Sequence, residues 1–327
     1  MRRRALAATA LASVLLAGGC GIPEKVVGLH PAPTEKASAA VFSATAARQV
    51  GNRTLDVARE AMTGDDKDVD ARKAALVGPA LRLAEVKDKF VPEGQTDAFV
   101  VPPTSTVLGV SRGRDWPRYI LSTAQADGVQ SLYVLVQPDA KTPFKLQTTV
   151  SMQAGASVPA LPGLADGVES VAVDAGAGLV ASPQKVLDAY SAALAYPTKS
   201  RTSSVVNLED AFAKGILASS ADAADALGKL GTFKRTHADF ADDTLAFKLA
   251  DGGVLVFAQF GRRDLLEPTA KAKELVLSST LAKLAGRSKV TDHVKLDWLE
   301  TLAIVIPASG KATVVGAGEQ LRGIDAK

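Results

Sequence analysis

The segment Gly109-Val110-Ser111-Arg112-Gly113 matches the G-x-S-x-G pattern of a nucleophile elbow. In that pattern a strained strand-to-helix turn exposes a serine hydroxyl, and an acid and then a histidine follow in the chain to activate it. Val107 to Val110 supply a strand, and His237 or His293 would have to serve as base. What comes next fits poorly. Asp115-Trp116-Pro117 does not open a long helix, and Tyr119 onward reads as strand. A polar, glycine-containing loop before a strand accounts for Ser111 better than a hydrolase does.

The other chemistry-bearing groups are weaker signals. Asp66-Lys67-Asp68-Val69-Asp70 starts like a calcium loop. Ala71 stands where the sharp turn needs glycine, and Val77 where the bidentate glutamate belongs. A solvated loop, with Asp70 capping the next helix, is the better reading. Asp239, Asp242 and Asp243 suit a turn between two strands. His30, His237 and His293 have neither a histidine four residues away nor a cysteine at ligand spacing, so no zinc site is expected. Asn52-Arg53-Thr54 is a glycosylation triplet inside a helical stretch. Gly316-Ala317-Gly318 lacks the third glycine of a dinucleotide site, and there is no P-loop. The expectation is therefore a non-enzymatic binding or interaction module with no metal, no cofactor and no catalytic set, the alternatives being a surface serine hydrolase built on Ser111 or a structural or assembly factor of the cell envelope.

Cys20 is the one cysteine in 327 residues. It follows Arg2-Arg3-Arg4, an apolar run from Ala5 to Ala17, and Gly18-Gly19. A charged segment, a short apolar segment and small residues before the cysteine resemble a bacterial lipobox. The resemblance implies diacylglycerol on the Cys20 thiol, cleavage just before it, and a protein held at the extracytoplasmic face of the cell membrane. Each buried methylene contributes about 0.8 kcal/mol, so two acyl chains anchor firmly. The alternative is an ordinary secretory signal that leaves a free thiol. No later stretch reaches the roughly 18 apolar residues of a membrane helix.

Hydrophobic residues make up 47% and charged residues 22%, as in a folded globular protein. The formal charge is +3, and Arg2, Arg3 and Arg4 account for all of it. The mature part is thus neutral, with no electrostatic footprint for nucleic acid. Its core must hold without a disulfide. Partners are expected to be the membrane, through the lipid on Cys20, and an unknown envelope protein or small ligand.

The elements fall into two runs of the same order. Residues 1–19 read as the signal and 20–33 as a proline-containing tether. Residues 34–178 form a first α+β domain and 179–327 a second. In the first, Thr34 is a fair N-cap for an Ala-rich helical stretch to Met62, with Leu55, Ala58 and Met62 on one face and Gly51-Asn52 a possible break. A second helical stretch runs from Asp70, limited by Pro79. Tyr119–Thr123, Leu132–Val136 and Phe144–Val150 read as strands, with an Asp127-Gly128 turn. Val171–Val173 reads as one more. In the second domain Ser182-Pro183 opens a helix with the stripe Val186, Leu187, Tyr190, Leu194. Leu208, Phe212 and Ile216 suggest another. Strands follow at Thr244–Leu249, Val254–Phe260, Glu274–Leu277, Val294–Ile306 and Ala312–Val315. The hairpin from Tyr119 through Asp127-Gly128 to Val136 lays over that from Leu245 through Asp251-Gly252 to Phe257. The fold class expected is α+β: two similar halves, each with helices packed on a curved antiparallel sheet.

The lipobox, the helices-then-strands halves, Ala181-Ser182-Pro183 and Val305-Ile306-Pro307 resemble an uncharacterised family of actinobacterial lipoproteins. Each half is similar in element order to the cone-shaped fold of nuclear transport factor two and the cystatin-like proteins. That fold implies a helix across a curved sheet, with a pocket between them. Trp116, Tyr119, Tyr133, Phe257, Phe260 and Trp298 then read as core packing, or as a concave sheet face that accepts a ligand.

Overall fold

The first helix, α1 (Ala44–Thr63), buries Ala47, Leu55, Ala58 and Met62. These recur at helical spacing and form one apolar stripe. The structure is a computed structural model that describes residues 39–63, 68–86, 104–198 and 202–327. The helix starts ten residues later than Thr34, which lies outside the described residues; Ser43 Oγ accepts from Ala46 N at 3.2 Å. Gly51 and Asn52 do not interrupt α1. A Cβ at Gly51 would stand 3.8 Å from Ile120 and Leu135, so the helix lies close over a sheet at that point. Asn52 Oδ1 accepts from Ser105 N and Oγ. Helix α2 (Val69–Ala75) is capped by Asp68, whose Oδ1 accepts from Ala71 N at 2.9 Å. Asp70, expected in that role, sits one turn-position inside. Helix α3 (Gly78–Val86) has Pro79 in its first turn, where no N–H is missed. Buried Arg72 joins the three helices by donating to the carbonyls of Ala61 and Ala84.

Strands β1 (Thr106–Val110), β2 (Arg118–Ala126), β3 (Val129–Gln137) and β4 (Lys145–Ser151) form an antiparallel sheet in chain order. The β2–β3 turn is Asp127-Gly128, with φ of 50° and 81°. Positive φ at both positions matches the twist that a two-residue hairpin needs.

Helices α4 (Pro183–Leu194) and α5 (Ala211–Leu227) follow, capped by Ser182 and Asp210. Then come β5 (Gly231–Asp239), β6 (Leu245–Lys248) and the long β7 (Val254–Pro268). The short pair β8 (Leu275–Val276) and β9 (Lys289–Val290) flanks α6 (Ser279–Ala285). The chain ends with β10 (Val294–Ile306) and β11 (Thr313–Ala326). The second sheet has the order β11-β10-β7-β5, and β6 pairs with the same edge of β7 as β5 does. A 3-10 turn at Ala241–Asp243 separates β5 from β6. β5, α6 and β9 have no counterpart among the elements expected from the sequence. Val171–Val173 is not a strand; a single bridge, Ser170 to Phe247, lies just before it. The two hairpins aligned from sequence both exist, but β2–β3 is central in its sheet and β6–β7 lies at an edge.

Alternation along the strands sets the layers. In the first sheet Ile120, Tyr133, Leu135 and Leu146 meet α1, α2 and α3. Their neighbours Tyr119, Leu121, Leu132 and Val134 meet Phe247, Leu255, Phe257 and Ala303 of the second sheet. On the far face of that sheet Val256, Phe260, Leu302 and Ile304 pack under Val186, Leu187, Tyr190 and Ile216 of α4 and α5. The order is helices, sheet, sheet, helices. It is a mixed α+β fold with antiparallel sheets, as expected, and its inter-sheet core draws on residues from both sides of position 178. Ser38–Lys327 form one compact unit. No helix among the described residues is long and apolar enough to cross a membrane.

Short bridges join the sheet margins to other parts of the chain. Ser111 of the β1 edge pairs with Val168, and Phe247 of β6 with Ser170. Met152, just past β4, pairs with Gly316 of β11, and Leu146 of β4 with Leu76. Arg235 of β5 pairs with Tyr196, and Ala312 before β11 with Val206.

Candidate functional site

Residues 153–167 leave β4 and fold back across the inner face of the first sheet. Gln153 N donates to Val315 O at 2.9 Å, and Ala250 N to Ala160 O at 2.8 Å. Beneath this segment lies a cavity of about 300 Å³, lined among others by Leu108, Gln130, Leu132, Met152, Val158 and Leu161. Its size is at the lower end of small-molecule sites, and its walls are mainly apolar with a few polar groups, as such sites are. Met152 brings an unbranched, polarisable side chain that adapts to irregular shapes. Gln130 supplies an amide at the wall; its Nε2 donates to Thr123 Oγ1.

A second cluster lies under α5, on the helix-facing side of the second sheet. Register puts His237, Arg262 and Trp298 opposite one another across β5, β7 and β10, and places Glu300 opposite Glu319 on β11. Arg262 Nη1 donates to Glu300 Oε1 at 2.7 Å and also to Glu319. The Arg262 guanidinium lies 4.5 Å over the Trp298 ring. His237 Nε2 stands 3.2 Å from Glu300 Oε2, both side chains being 0% exposed, but off the angle of a hydrogen bond. Arg235 holds Asp264 through two bonds of 2.6 and 2.9 Å, and its Nη1 reaches Ile216 O and the hydroxyls of Ser219 and Ser220 on α5.

Burial works to raise the Glu300 carboxyl, but the adjacent His237 ring and Arg262 guanidinium outweigh it and hold its pKa below the ordinary value. Arg262 is raised: burial opposes its charge, and Asp264, Glu300 and Glu319 overcome that. Tyr190 is raised well above its usual value by burial first, then by the charges of Asp210 and Glu300. Arg235, bonded at once to Asp264 of β7 and to Ile216 O and Ser220 Oγ of α5, ties that helix to its sheet.

The structure does not bring the proposed nucleophile and bases together. Ser111 is 6% exposed, its Oγ accepts from Tyr119 N at 3.0 Å, and a bend rather than a helix follows it. The two glycines of the motif have structural reasons. A Cβ at Gly109 would lie 2.6 Å from Val168 Cγ2, and Gly113 has φ of 88°. His237 belongs to the buried cluster on the other sheet. His293 is flanked by Asp292 at 3.0 Å and Asp325 at 3.2 Å. Asp325 is held below its usual range by hydrogen bonds from His293 and Lys295. Asp243 pairs with Arg82, and Asp239 accepts from Gln184. No group of acidic, histidine or cysteine side chains suited to a metal occurs among the described residues. Cys20, His30, Asp66 and Lys67 lie outside the described residues.

Fold and cavity together define a mixed α+β protein with two stacked antiparallel sheets and a small apolar pocket at their margin. The chain belongs to the family described as domain of unknown function DUF8094, whose model matches residues 34–325. No curated protein and no solved structure matches it.

Proposed function

We propose that this protein is a cell-envelope lipoprotein, anchored at the extracytoplasmic face of the membrane by diacylglycerol on Cys20, that binds a small, largely apolar molecule without transforming it. The finer resemblance to actinobacterial lipoproteins, and to tandem cystatin-like halves, belongs to the same reading. The observation that carries binding is the cavity of about 300 Å³ between residues 156–161 and Leu108, Leu132 and Met152. The anchor rests on the residues before Cys20. Ser111 is buried and its Oγ accepts from Tyr119 N, which weighs against the hydrolase alternative.

The test is titration with 1-anilinonaphthalene-8-sulfonate, an anionic probe whose aromatic part fluoresces when shielded from water. One saturable site is expected, and Ala156→Trp, which fills the cavity, removes it while leaving the circular dichroism unchanged. Equal enhancement in wild type and Ala156→Trp refutes the cavity as a binding site. Intact mass of the membrane-extracted protein, beside Cys20→Ala, tests the anchor separately.

A further inference from the structure

We infer that the loop Arg112–Arg118 is a membrane-docking surface for the anionic bilayer that holds the lipid anchor. The inference rests on the anchor proposed above, and adds to it the face that the body turns to the membrane.

The chain enters the body beside this loop. Ala39, the first described residue, accepts from Gly113 N at 3.0 Å; Ala40 bridges Arg112, and Val41 N donates to Ser111 O. The entering segment therefore lies directly against this loop. Nineteen positions separate Cys20 from Ala39, and at full extension they reach at most about 65 Å. A surface tethered within that distance meets the membrane at high effective concentration, so a weak contact becomes populated.

The loop has the chemistry of an interfacial contact. Arg112, Arg114, Asp115, Trp116 and Pro117 are all exposed, and Trp116 is 37% exposed. Three arginines against one aspartate give the stretch a net charge of +2, although the mature chain as a whole is neutral. Neither Arg112 nor Arg114 is paired with a carboxylate among the described residues. Arg118 is sandwiched, 3.9 Å from the Trp116 ring centre and 5.6 Å from that of Phe42. Phe42 in turn meets Phe144 edge-on at 5.8 Å. The stack braces Trp116, so the indole is presented rather than loose. Tryptophan prefers the headgroup layer, and arginine is attracted to anionic lipid. Asp139, on the loop before Phe144, already accepts from Lys141 N, Thr142 N and the Thr142 hydroxyl.

The test uses the mature chain from position 20 carrying Cys20→Ala, which removes both the acyl chains and the leader arginines. Binding is measured to phosphatidylcholine vesicles with and without phosphatidylglycerol. Binding to the anionic vesicles alone is expected, weakening as salt rises. Arg112→Gln with Arg114→Gln should weaken it about 25-fold, at roughly five-fold per charge. Trp298→Phe leaves Trp116 as the single indole, and brominated phosphatidylglycerol should quench it. Lys229→Gln with Lys271→Gln, exposed lysines elsewhere, should leave affinity unchanged. Unquenched Trp116, or equal loss in the lysine control, overturns the inference. A membrane-extracted protein without diacylglycerol refutes the anchor instead, and leaves the vesicle result to decide the docking surface.

Discussion

Replacing Glu300 by glutamine removes one buried charge and almost no volume. Glu300 is 0% exposed, takes a 2.7 Å bond from Arg262 and lies 3.2 Å from His237. A charge-assisted hydrogen bond contributes about 1.5–3 kcal/mol, and a neutral one about 1. The amide oxygen of glutamine can still accept from Arg262, and Arg262 keeps Glu319 and, at 3.4 Å, Asp264. Glu300→Gln should therefore cost about 1–2 kcal/mol at neutral pH. Glu300→Leu leaves the arginine without that acceptor and should cost about 3–5 kcal/mol. The pH dependence separates charge from packing. The folded carboxyl is held below its ordinary value of 4.5. Its contribution is fully present above that value and is lost as pH falls through the folded pKa, because the unfolded chain binds the proton first. Urea unfolding of wild type and Glu300→Gln should thus differ at pH 7 and converge as pH falls through the folded pKa, which lies below the ordinary carboxyl value. A gap that is absent at pH 7, or that does not change with pH, refutes the account of a net-favourable charge cluster.

Three further outcomes follow from geometry. Gly109→Ala should destabilise by about 1–3 kcal/mol in urea, because its Cβ would lie 2.6 Å from Val168 and 3.3 Å from Leu161. Ser111→Ala should lower stability by about 1–2 kcal/mol, since Tyr119 N loses its acceptor, and should leave probe binding in the cavity unchanged. Asp210→Ala should cost about 1–2 kcal/mol as the N-cap of α5. The same carboxylate accepts from Tyr190 OH and Gln153 Nε2, so amide exchange in α4 and around Gln153 should rise with it.

The helix starts were legible where a cap and a stripe coincide. Ser182-Pro183 and the stripe Val186, Leu187, Tyr190, Leu194 behave as their residue types dictate, all four being 0% exposed. The Asp127-Gly128 hairpin is equally local. β5 was hidden because its inward positions after Phe233 are Arg235 and His237, so apolar alternation fails although the structural alternation holds. The strand expected at Ala312–Val315 stops well short of the end of β11 because Gly316, Gly318 and Gly323 break the apolar pattern. α6 is only seven residues long, yet its Ser278 cap and left-handed Gly286 were both available as signals. Unbroken apolar runs in β2, β3 and β7 do announce burial on both faces, but they do not say which sheet supplies the second face. The charge cluster was beyond reach. Residues 235, 262, 300 and 319 meet only after four strands pair, and His237 by itself gives no sign of Glu300. The cavity was illegible for another reason: Leu108 and Leu132 have the same chemistry whether they line a space or fill one.

The isolated bridges at the sheet margins bear on how the molecule behaves among its own copies. A bare edge strand is a template, because its free N–H and C=O groups accept a strand from any neighbour and propagate into aggregates. Here the outer strands β1, β4, β5, β6 and β11 each have at least one position occupied by another part of the same chain. These bridges interrupt the free edges, although β11 runs on from Ala317 to Ala326 without one. Addition of a foreign strand would first have to peel these bridges away. The architecture thus stacks two sheets whose rims are in part guarded by the chain itself, which narrows the template open to a neighbouring copy to the far end of β11.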